Sequence, residues 1–489
     1  MPLNHFSNNH NAFNSFWTKR MTSNINALRQ KLEHDKSDRE SWLALGELLT
    51  EKNEDTEALA CFRAAQNLGE NSLVLHRSMG DILLDGGQPQ EALTCYQRAR
   101  EIKPQSAPTL ALIGEALCAL RRPNEAISYF RKALDIDPGM SPALWSLASA
   151  YLMTGDYATG LALYERRFEF DSREFLAALG ILPTREYFAA IPAWDGSDLA
   201  GRVIAVWTEQ GMGDMIMMMR YLPLLKQKGA RSVTVFCHDA LLQIIRPLVD
   251  RAISLREVSL AGVDIQCSAM SLPYLFASRV DTVPNAIPYL QVDSSKTEAW
   301  RARLGKDRSL KVGLVWAGNK TMRKDYLRSV PLAVMEPLLK TPGVHFISLQ
   351  IGASAEIATS GMKITDWMQE VRDYADTAAL IANLDLVISV DTAVAHLAGA
   401  LGVPVWLLNR FESEWRWLAE GRHSPWYPRT RIFRQASLHH WQPVVASVAR
   451  ELQQLVEQRG SRRSEGNSGL LGKLAGIFKT ERGQKKLSS

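Results

Sequence analysis

The 489-residue chain is poor in cysteine and has no long apolar run. Its five cysteines are an odd number and include no Cys-x-x-Cys pair, which argues against both a disulfide framework and a zinc site. The first residues lack a basic stretch followed by an apolar one, and no apolar run has the length of a membrane span. We therefore expect a protein of the reducing cytosol that is neither secreted through that kind of signal nor integral to a membrane.

Excess positive charge is also missing from most of the chain. The net charge is +5, but from Arg459 onward eight basic residues stand against two acidic ones, so the rest is near neutral. Because the basic residues are confined to a tail, we do not expect the body of the protein to bind nucleic acid. The length is enough for about three domains, and the hydrophobic (46%) and charged (22%) fractions are those of an ordinary globular protein.

An internal repeat of 34 residues occupies the first third of the chain. Glycines mark its period at Gly46, Gly80 and Gly114, and aromatic residues follow each unit's start at Phe62, Tyr96, Phe130 and Tyr164. Small residues let paired antiparallel helices approach, and aromatic rings fill the groove between them. The first unit opens with W-x2-L-G at Trp42–Gly46, which resembles the tetratricopeptide family. We predict an α-solenoid of about four units over residues 38–172, preceded at 1–37 by a disordered or short-helix segment near Asn24–Leu32.

The fourth repeat departs from the pattern, because Gly160 and Arg167 replace alanines. A terminal repeat that faces another domain is free to depart in this way. Solenoids of this kind offer a concave surface to peptides or proteins. The alternative is that the repeats form a scaffold or a dimerisation arm.

An α/β region follows the repeats. Residues 173–200 are rich in proline and glycine and are predicted to be a linker. A strand at Val203–Trp207, the loop TEQGMGD, a helix from Met215 to about Lys228 and a strand at Ser232–Cys237 then form a β-loop-α-β unit within a first half at 201–295. Gly211 and Gly213 permit a tight turn and close approach of a ligand. Asp214 begins the helix as a candidate catalytic carboxylate, and the alternative role of a helix N-cap can coexist with that one.

A second α/β half is predicted at 308–458. Its first strand, Val312–Trp316, leads into Asn319 and Lys320, and further cations follow at Arg323, Lys324 and Arg328. Cations at a strand terminus can neutralise a phosphate group, although a solvated basic loop is the alternative. A strand at His345–Gln350 ends in Gln350. The half closes with a helix at His439–Glu457, and residues 459–489 form a basic amphipathic tail that docks on a membrane or a partner, or is disordered.

The stretch from Leu386 to Leu408 reads as strand, turn, helix and strand. Its turn places Asp391 and Thr392 at the carboxyl end of a buried strand and at the amino end of a helix, where ligands and anions bind in open α/β sheets. The alternative is that these residues are only a helix cap. His396 lies about one turn further on, where it faces the same ligand or belongs to the core. The segment Trp415–Pro428 has three tryptophans and a tyrosine, which either stack on a base or sugar or wedge two domains together.

Taken together, these motifs resemble the catalytic region of bacterial tetratricopeptide-fused glycosyltransferases. The region is similar to the heptosyltransferase-like glycosyltransferase family 9 and, more loosely, to protein O-GlcNAc transferases. The motifs that carry the resemblance are TEQGMGD, GLVWAGN, RSVPL, SLQ, the stretch Tyr374–Trp406 with its Asp-Thr-x3-His pattern, WRWL and SPWYP. The resemblance implies a GT-B fold, in which two Rossmann-like halves face each other across a cleft.

The resemblance also implies roles for single residues. Asp214 is the expected general base. The expected donor-binding residues are Gly211, Gly213, Asn319, Lys320, Gln350, Asp391, Thr392, Ala393 and His396. Lys324, Arg328 and Trp415 are expected to make further phosphate or substrate contacts. Because Ala393 stands where many heptosyltransferases have glycine, the donor base and sugar stay open.

These features predict a cytoplasmic, inverting glycosyltransferase that needs neither a metal nor a cofactor. It would move a sugar from a nucleotide-activated donor to a hydroxyl of a protein or peptide recruited by the repeats. Two alternatives remain open at this point. One is a non-catalytic repeat scaffold with a degenerate sugar-nucleotide domain, and the other is a lipopolysaccharide-directed enzyme whose basic tail contacts the inner membrane.

Overall fold

A computed structural model of the chain describes residues 6–320 and 325–464. It divides into two compact units, Met1–Ser146 and Leu147–Ser489. The division falls inside the array that we predicted to end at residue 172. The helices up to this division are α1 Phe6–His34, α2 Arg39–Glu51, α3 Asp55–Asn67, α4 Leu73–Asp85, α5 Pro89–Ile102, α6 Ala107–Ala119, α7 Pro123–Ile136 and α8 Ser141–Thr154, which spans it.

Helices α2 to α7 form three antiparallel pairs whose packing explains the 34-residue period. A Cβ built on Gly46 would lie 2.6 Å from the ring of Phe62, and one built on Gly114 would lie 2.5 Å from the ring of Phe130. Gly80 and Tyr96 make the equivalent contact in the second pair. Each glycine therefore admits the aromatic ring of its own pair, and the predicted helical repeat is confirmed.

The N-terminal segment is more ordered than the short helix that we predicted there. Helix α1 extends from Phe6 to His34 and packs on α2. Ile25 and Leu32, two turns apart on one face, are buried against the first repeat. Arg29 on the same helix makes a two-pronged ion pair with Glu57 of α3. Tertiary packing therefore supports a helix whose polar composition gives a weak signal.

The second unit opens with three short helices before its first sheet: α9 Tyr157–Glu165, α10 Arg173–Ala178 and α11 Thr184–Phe188. We predicted a linker at 173–200, but this segment is packed. Phe188 is buried with its ring stacked on Trp207, at 5.7 Å between centroids and 7° between planes, and it also contacts Phe236. The apolar side chains scattered among the prolines and glycines therefore fold it onto the first sheet.

The first half contains a sheet of four parallel strands in the order β3-β2-β1-β4. Its elements are β1 Val203–Trp207, α12 Met212–Met218, α13 Leu222–Gln227, β2 Ser232–Cys237, α14 Leu242–Ile245, β3 Arg251–Ser254, β4 Ile265–Ser268 and α15 Leu272–Leu275. The single helix predicted after β1 is broken into α12 and α13 by a 3-10 turn at Met219–Tyr221. Pro223, in the first turn of α13, favours a new helix start there.

The second half contains a sheet of five parallel strands in the order β6-β5-β7-β8-β9. Its elements are α16 Ser294–Leu304, β5 Leu310–Val315, α17 Asp325–Arg328, α18 Glu336–Leu339, β6 Val344–Ser348, α19 Ser354–Ser360, α20 Tyr374–Ile381, β7 Leu386–Val390, α21 Ala393–Ala400, β8 Val405–Asn409, β9 Thr430–Arg434 and α22 Gln442–Ser464. Strand β7 is central and buried along its whole length, as its apolar run predicted. The closing helix α22 begins and ends later than predicted. The basic tail beyond Ser464 lies outside the described residues.

The two sheets confirm the predicted α/β architecture with two halves. Parallel strands need crossover connections, which the intervening helices supply. In such sheets ligands bind beyond the carboxyl ends of the strands. A ligand is therefore expected to contact the segments that follow β1, β5 and β7. Within the described ranges, no helix combines the length and apolar character needed to cross a membrane.

The cysteines are packing residues. All five are free thiols, and four of them are buried. Burial raises the pKa of Cys61 to about 11 and that of Cys237 to about 12, so little thiolate forms near neutral pH.

Candidate functional site

The junction between β7 and α21 is the first part of the site. Asp391 follows the buried strand, and Thr392 precedes Ala393, the first residue of the helix. Thr392 has extended backbone, and among the described residues its side chain makes no capping hydrogen bond to the helix. Its hydroxyl lies 3.1 Å from the hydroxyl of Ser389 instead. The first-turn N–H groups of α21 are therefore not capped by this side chain, as suits an anion site at a helix start.

The glycine-rich loop after β1 lies directly against this junction. A Cβ built on Gly213 would lie 2.9 Å from Cδ2 of His396 and 3.3 Å from Cα of Ala393. Helix α12, which begins in this loop, packs on α21. Two segments about 180 residues apart in the sequence thus meet where the two halves touch, and only glycine fits at the point of contact.

Asp214 lies in the first turn of α12 and is held by two groups. One carboxylate oxygen, Oδ2, accepts a hydrogen bond of 2.9 Å from the N–H of Gly211. The other oxygen, Oδ1, forms an ion pair with the guanidinium of Arg416, in the 3-10 turn Trp415–Trp417. The N-cap of α12 is Gly211 and not Asp214, whose side chain instead closes the turn from the third helical position. Its carboxylate is also fixed from the second half.

Arg416 was missed by the sequence reasoning. It pairs with both Asp214 and Glu414, and its guanidinium lies 4.5 Å from the ring centroid of Trp415. Burial disfavours the charged guanidinium, but the two carboxylates outweigh that effect and raise its pKa. The signal that was available is the arginine set between two tryptophans in WRW, which marks a cation held in an aromatic environment.

The pKa values of Asp391 and Glu414, two acidic residues near Arg416, shift in opposite directions. Burial, and then the charge of Glu414, raise the pKa of Asp391. Burial acts in the same direction on Glu414, but the guanidinium groups of Arg416 and Arg410 prevail and lower its pKa. The proton is therefore favoured on Asp391 and the negative charge on Glu414.

His396 is buried between aromatic rings. Its ring stacks on Trp417 at 5.1 Å, and its Nδ1 lies 3.0 Å from the hydroxyl of Tyr427. Nε2 lies 3.8 Å from a carboxylate oxygen of Asp391. Burial lowers the pKa of His396 to about 4, so the ring is neutral near pH 7. The histidine is thus both a core residue and a neighbour of the junction, which unites the two alternatives that the sequence left open.

The segment after β5 contributes a cation to the junction. Arg328 donates from Nη1 to the backbone carbonyl of Asp391 at 3.2 Å and from Nε to Asp325 at 2.8 Å. Asn319 and Lys320 are exposed just beyond the strand. Lys324, another predicted phosphate contact, lies outside the described residues.

Gln350 and Trp415 make structural contacts, and the ligand contacts that we predicted for them stay predictions. Oε1 of Gln350 accepts hydrogen bonds from the N–H groups of Trp316 and Ala317, at 3.2 and 2.9 Å, so it shapes the loop after β5. Trp415 is 6% exposed and packs edge-on against Tyr157 and Trp426. The tryptophan-rich segment therefore wedges helix α9 against the second half.

Comparisons with known proteins agree with this architecture. Tetratricopeptide repeat models match residues 70–139 and 119–171, and the model for glycosyltransferase family 9 (heptosyltransferase) matches residues 373–440. The chain is 30% identical over 335 residues to the protein FlbA of Caulobacter vibrioides, covering 62% of this chain and 54% of that protein. It thus spans about half the length of this curated relative.

Two solved structures are similar to separate parts of the chain. One is YrrB, described as a tetratricopeptide protein with an unusual peptide-binding site, at 23% identity and a TM-score of 0.31, covering 34% of this chain and 86% of that one. The other is a family 9 glycosyltransferase of Veillonella parvula, at 12% identity and a TM-score of 0.37, covering 50% of this chain and 88% of that one. The family models therefore match the chain to tetratricopeptide repeats within residues 70–171 and to a glycosyltransferase family 9 (heptosyltransferase) domain at residues 373–440.

Proposed function

We propose that the protein is an inverting, metal-independent glycosyltransferase of the GT-B type. It moves a sugar from a nucleoside-diphosphate donor to a hydroxyl group of a protein held by the repeats. The observation that carries the proposal is the contact of Gly213 with His396 and Ala393. That contact brings the loop bearing Asp214 against the helix start that suits the donor phosphates.

In this mechanism Asp214 is the general base. The acceptor oxygen attacks the anomeric carbon while the bond from that carbon to the phosphate oxygen breaks, and the acceptor proton passes to Asp214. A carboxylate has about four lone-pair sites, of which Gly211 and Arg416 take one each. The remaining sites can receive the acceptor hydroxyl, and fixing the carboxylate from both sides provides the orientation that a weak base needs.

The leaving nucleoside diphosphate is proposed to lie at the start of α21. First-turn N–H groups and the helix dipole favour its charge there. Arg328, bonded to the carbonyl of Asp391, and Lys320, exposed after β5, are placed to add positive charge as the phosphate leaves. The raised pKa of Asp391 is compatible with this placement, because burial and the charge of Glu414 disfavour its negatively charged form, which would repel a diphosphate.

The acceptor is proposed to be a protein because three helix pairs precede the catalytic unit, and solenoids of this type present extended surfaces to other chains. The heptosyltransferase family name admits a second acceptor class, a glycan.

The proposal is tested by screening the full chain against a panel of nucleoside-diphosphate sugars by thermal shift. Each nucleotide sugar that stabilises the protein is then supplied in radiolabelled form as the donor. Two classes of acceptor are offered to the enzyme, which are proteins from a matched lysate and lipopolysaccharide core. We expect one donor to raise the melting temperature and to label protein. If only lipopolysaccharide is labelled, the acceptor is a glycan and the proposed protein acceptor is wrong. If the chain binds no sugar nucleotide, the result favours a non-catalytic scaffold.

A further inference from the structure

Two residues of the glycine-rich loop, immediately before Gly211, are held from outside both sheets. Glu209 and Gln210 connect β1 to Gly211, and each is bonded to residues of the segment 157–180. This segment includes the second helix of the last repeat. It belongs to the same compact unit as both sheets.

Arg167 forms a buried ion pair with Glu209, and both side chains are 0% exposed. The guanidinium Nε lies 3.2 Å from each carboxylate oxygen of Glu209, and Nη2 donates to Ser271 at 3.0 Å. Its Nη1 donates to the carbonyl of Tyr164 at 3.0 Å and to Glu165 at 2.7 Å. Each guanidinium nitrogen therefore has a partner, so the arginine that departs from the repeat pattern fixes the base of the loop.

Gln210, the next residue of the loop, is bonded to the segment 157–180 through both its backbone and its side chain. Its backbone lies in the left-handed region with φ of 62°, and its N–H donates to the carbonyl of Gly180 at 2.9 Å. Its side-chain amide nitrogen donates to the hydroxyl of Tyr164, and its Oε1 lies 3.4 Å from Nη2 of Arg416. Because Arg416 pairs with Asp214, the contacts form a continuous chain from the last repeat to the catalytic carboxylate.

We infer that Tyr164 and Arg167 are positioning residues for the transfer reaction, and that the last repeat helix is a working part of the catalytic unit. Tyr164 acts on Asp214 through Gln210 and Arg416, and Arg167 acts on the loop through Glu209. Neither residue touches the reacting atoms. The inference rests on the proposed function, since it assigns a consequence to the position of Asp214.

A purely structural role is the competing explanation, because residues this deeply buried also support folding. The two explanations differ in their coupling to Asp214. If Tyr164 acts by placing that carboxylate, the loss of its hydroxyl has an effect only while the carboxylate is present. A general structural defect lowers turnover by the same factor whether or not Asp214 is intact.

The test measures kcat, KM for the donor and melting temperature for the full chain and for Tyr164→Phe, Asp214→Asn and the double variant. Tyr187→Phe is the matched control, since Tyr187 is exposed on α11. We expect Tyr164→Phe to lower kcat by about tenfold with donor KM and melting temperature nearly unchanged, as misplacement of a catalytic group does. In the Asp214→Asn background the same substitution should have no further effect. If turnover in that background is too slow to measure, Arg416→Lys serves as the second background, because the chain of contacts runs through Arg416.

An equal loss in both backgrounds, or no loss in either, would overturn the positioning role. Those outcomes leave the proposed function intact, because they require a wild-type enzyme that transfers sugar. Absence of transfer by the wild-type chain with every donor of the panel would instead overturn the proposed function, and this inference with it.

Discussion

Gly213 and His396 lie so close together that a Cβ at position 213 would come within 2.9 Å of the histidine ring. The ring cannot retreat freely, since Trp417 stacks on it and Tyr427 bonds its Nδ1. This contact joins the two halves of the catalytic unit at the point where the donor and the base are proposed to meet.

Gly213→Ala is therefore expected to destabilise the protein. In a helix, alanine is favoured over glycine by about 0.5–1 kcal/mol, whereas overpacking costs about 1–3 kcal/mol, so the contact should prevail. Denaturation by urea measures the change, with Gly139→Ala as control because a Cβ there meets no atom closer than 3.7 Å. A Gly213→Ala protein at least as stable as the wild type would show that the contact is loose.

Asp214→Asn tests the base. The amide keeps most of the shape of the side chain but cannot take up the acceptor proton, so kcat should fall by about 10²–10⁴-fold. Donor affinity, measured by calorimetry, should change little. Asp281→Asn, at an exposed position, is the matched control. If turnover of Asp214→Asn equals that of the control, Asp214 has no part in the chemistry.

Removing one member of the buried ion pair Arg167–Glu209 should destabilise the protein more than removing both. Arg167→Met leaves a buried carboxylate without its cation, which costs about 3–5 kcal/mol, whereas replacing both members by apolar residues is often nearly neutral. Thermal melting should therefore show a large drop for Arg167→Met and recovery of most of it in Arg167→Met with Glu209→Met. Arg173→Met, in an exposed ion pair with Glu186, should change the melting temperature little. A double variant as unstable as the single one would contradict this account of the pair.

His396 should make stability depend on pH. Burial lowers its pKa from 6.5 to about 4, so between these values the unfolded chain binds a proton that the folded chain does not. Stability is thus fully present above pH 6.5 and falls as the pH approaches 4, by about 3 kcal/mol at about 1.4 kcal/mol per pKa unit. Burial is the largest cause of this shift, and the charges of Asp214, Arg416, Arg220 and Glu414 also act on the pKa.

Urea midpoints at pH 7.5, 5.5 and 4.5 check the size of this effect. The part due to His396 is the difference between the wild type and His396→Asn, in which the amide retains a polar atom near Tyr427. His238→Asn, at an exposed position, is the matched control. A His396→Asn protein with the wild-type pH dependence would mean that the ring is not kept neutral by the fold.

The sequence predicts the parts of the site that depend on local pattern. The apolar run of β7 and the helical spacing after Thr392 are each visible within a few residues, and the structure forms a strand and a helix there. The glycines before Asp214 were predicted to form a tight turn before a helix starting at Met215, but Gly213 lies in the first turn of α12, which begins at Met212. The 34-residue period is also visible in the sequence, because each repeat needs a glycine at the point where its aromatic ring packs. Local periodicity and turn chemistry determine these features.

Contacts between distant segments were not predictable in the same way. Arg416 forms an ion pair with Asp214, which lies some 200 residues earlier in the sequence. No local pattern predicts which carboxylate an arginine in a loop will contact. The same holds for Arg167, which was visible as a departure from the repeat but not as the partner of Glu209. Trp415 was recognised as unusual, yet its packing against Tyr157 is a tertiary contact that no local pattern predicts.

The central claim is that a nucleoside diphosphate binds where β7 gives way to α21, and calorimetry of Thr392→Asp tests it most directly. Aspartate is as good a helix cap as threonine, so the fold should persist, but its charge would oppose a phosphate at that helix start. Ser72→Asp, at the N-cap of a repeat helix, is the matched control. We predict that wild type and control bind the donor found by thermal shift equally, and that Thr392→Asp binds it at least about tenfold more weakly, a difference of about 1.4 kcal/mol. Unchanged affinity of Thr392→Asp would contradict the account.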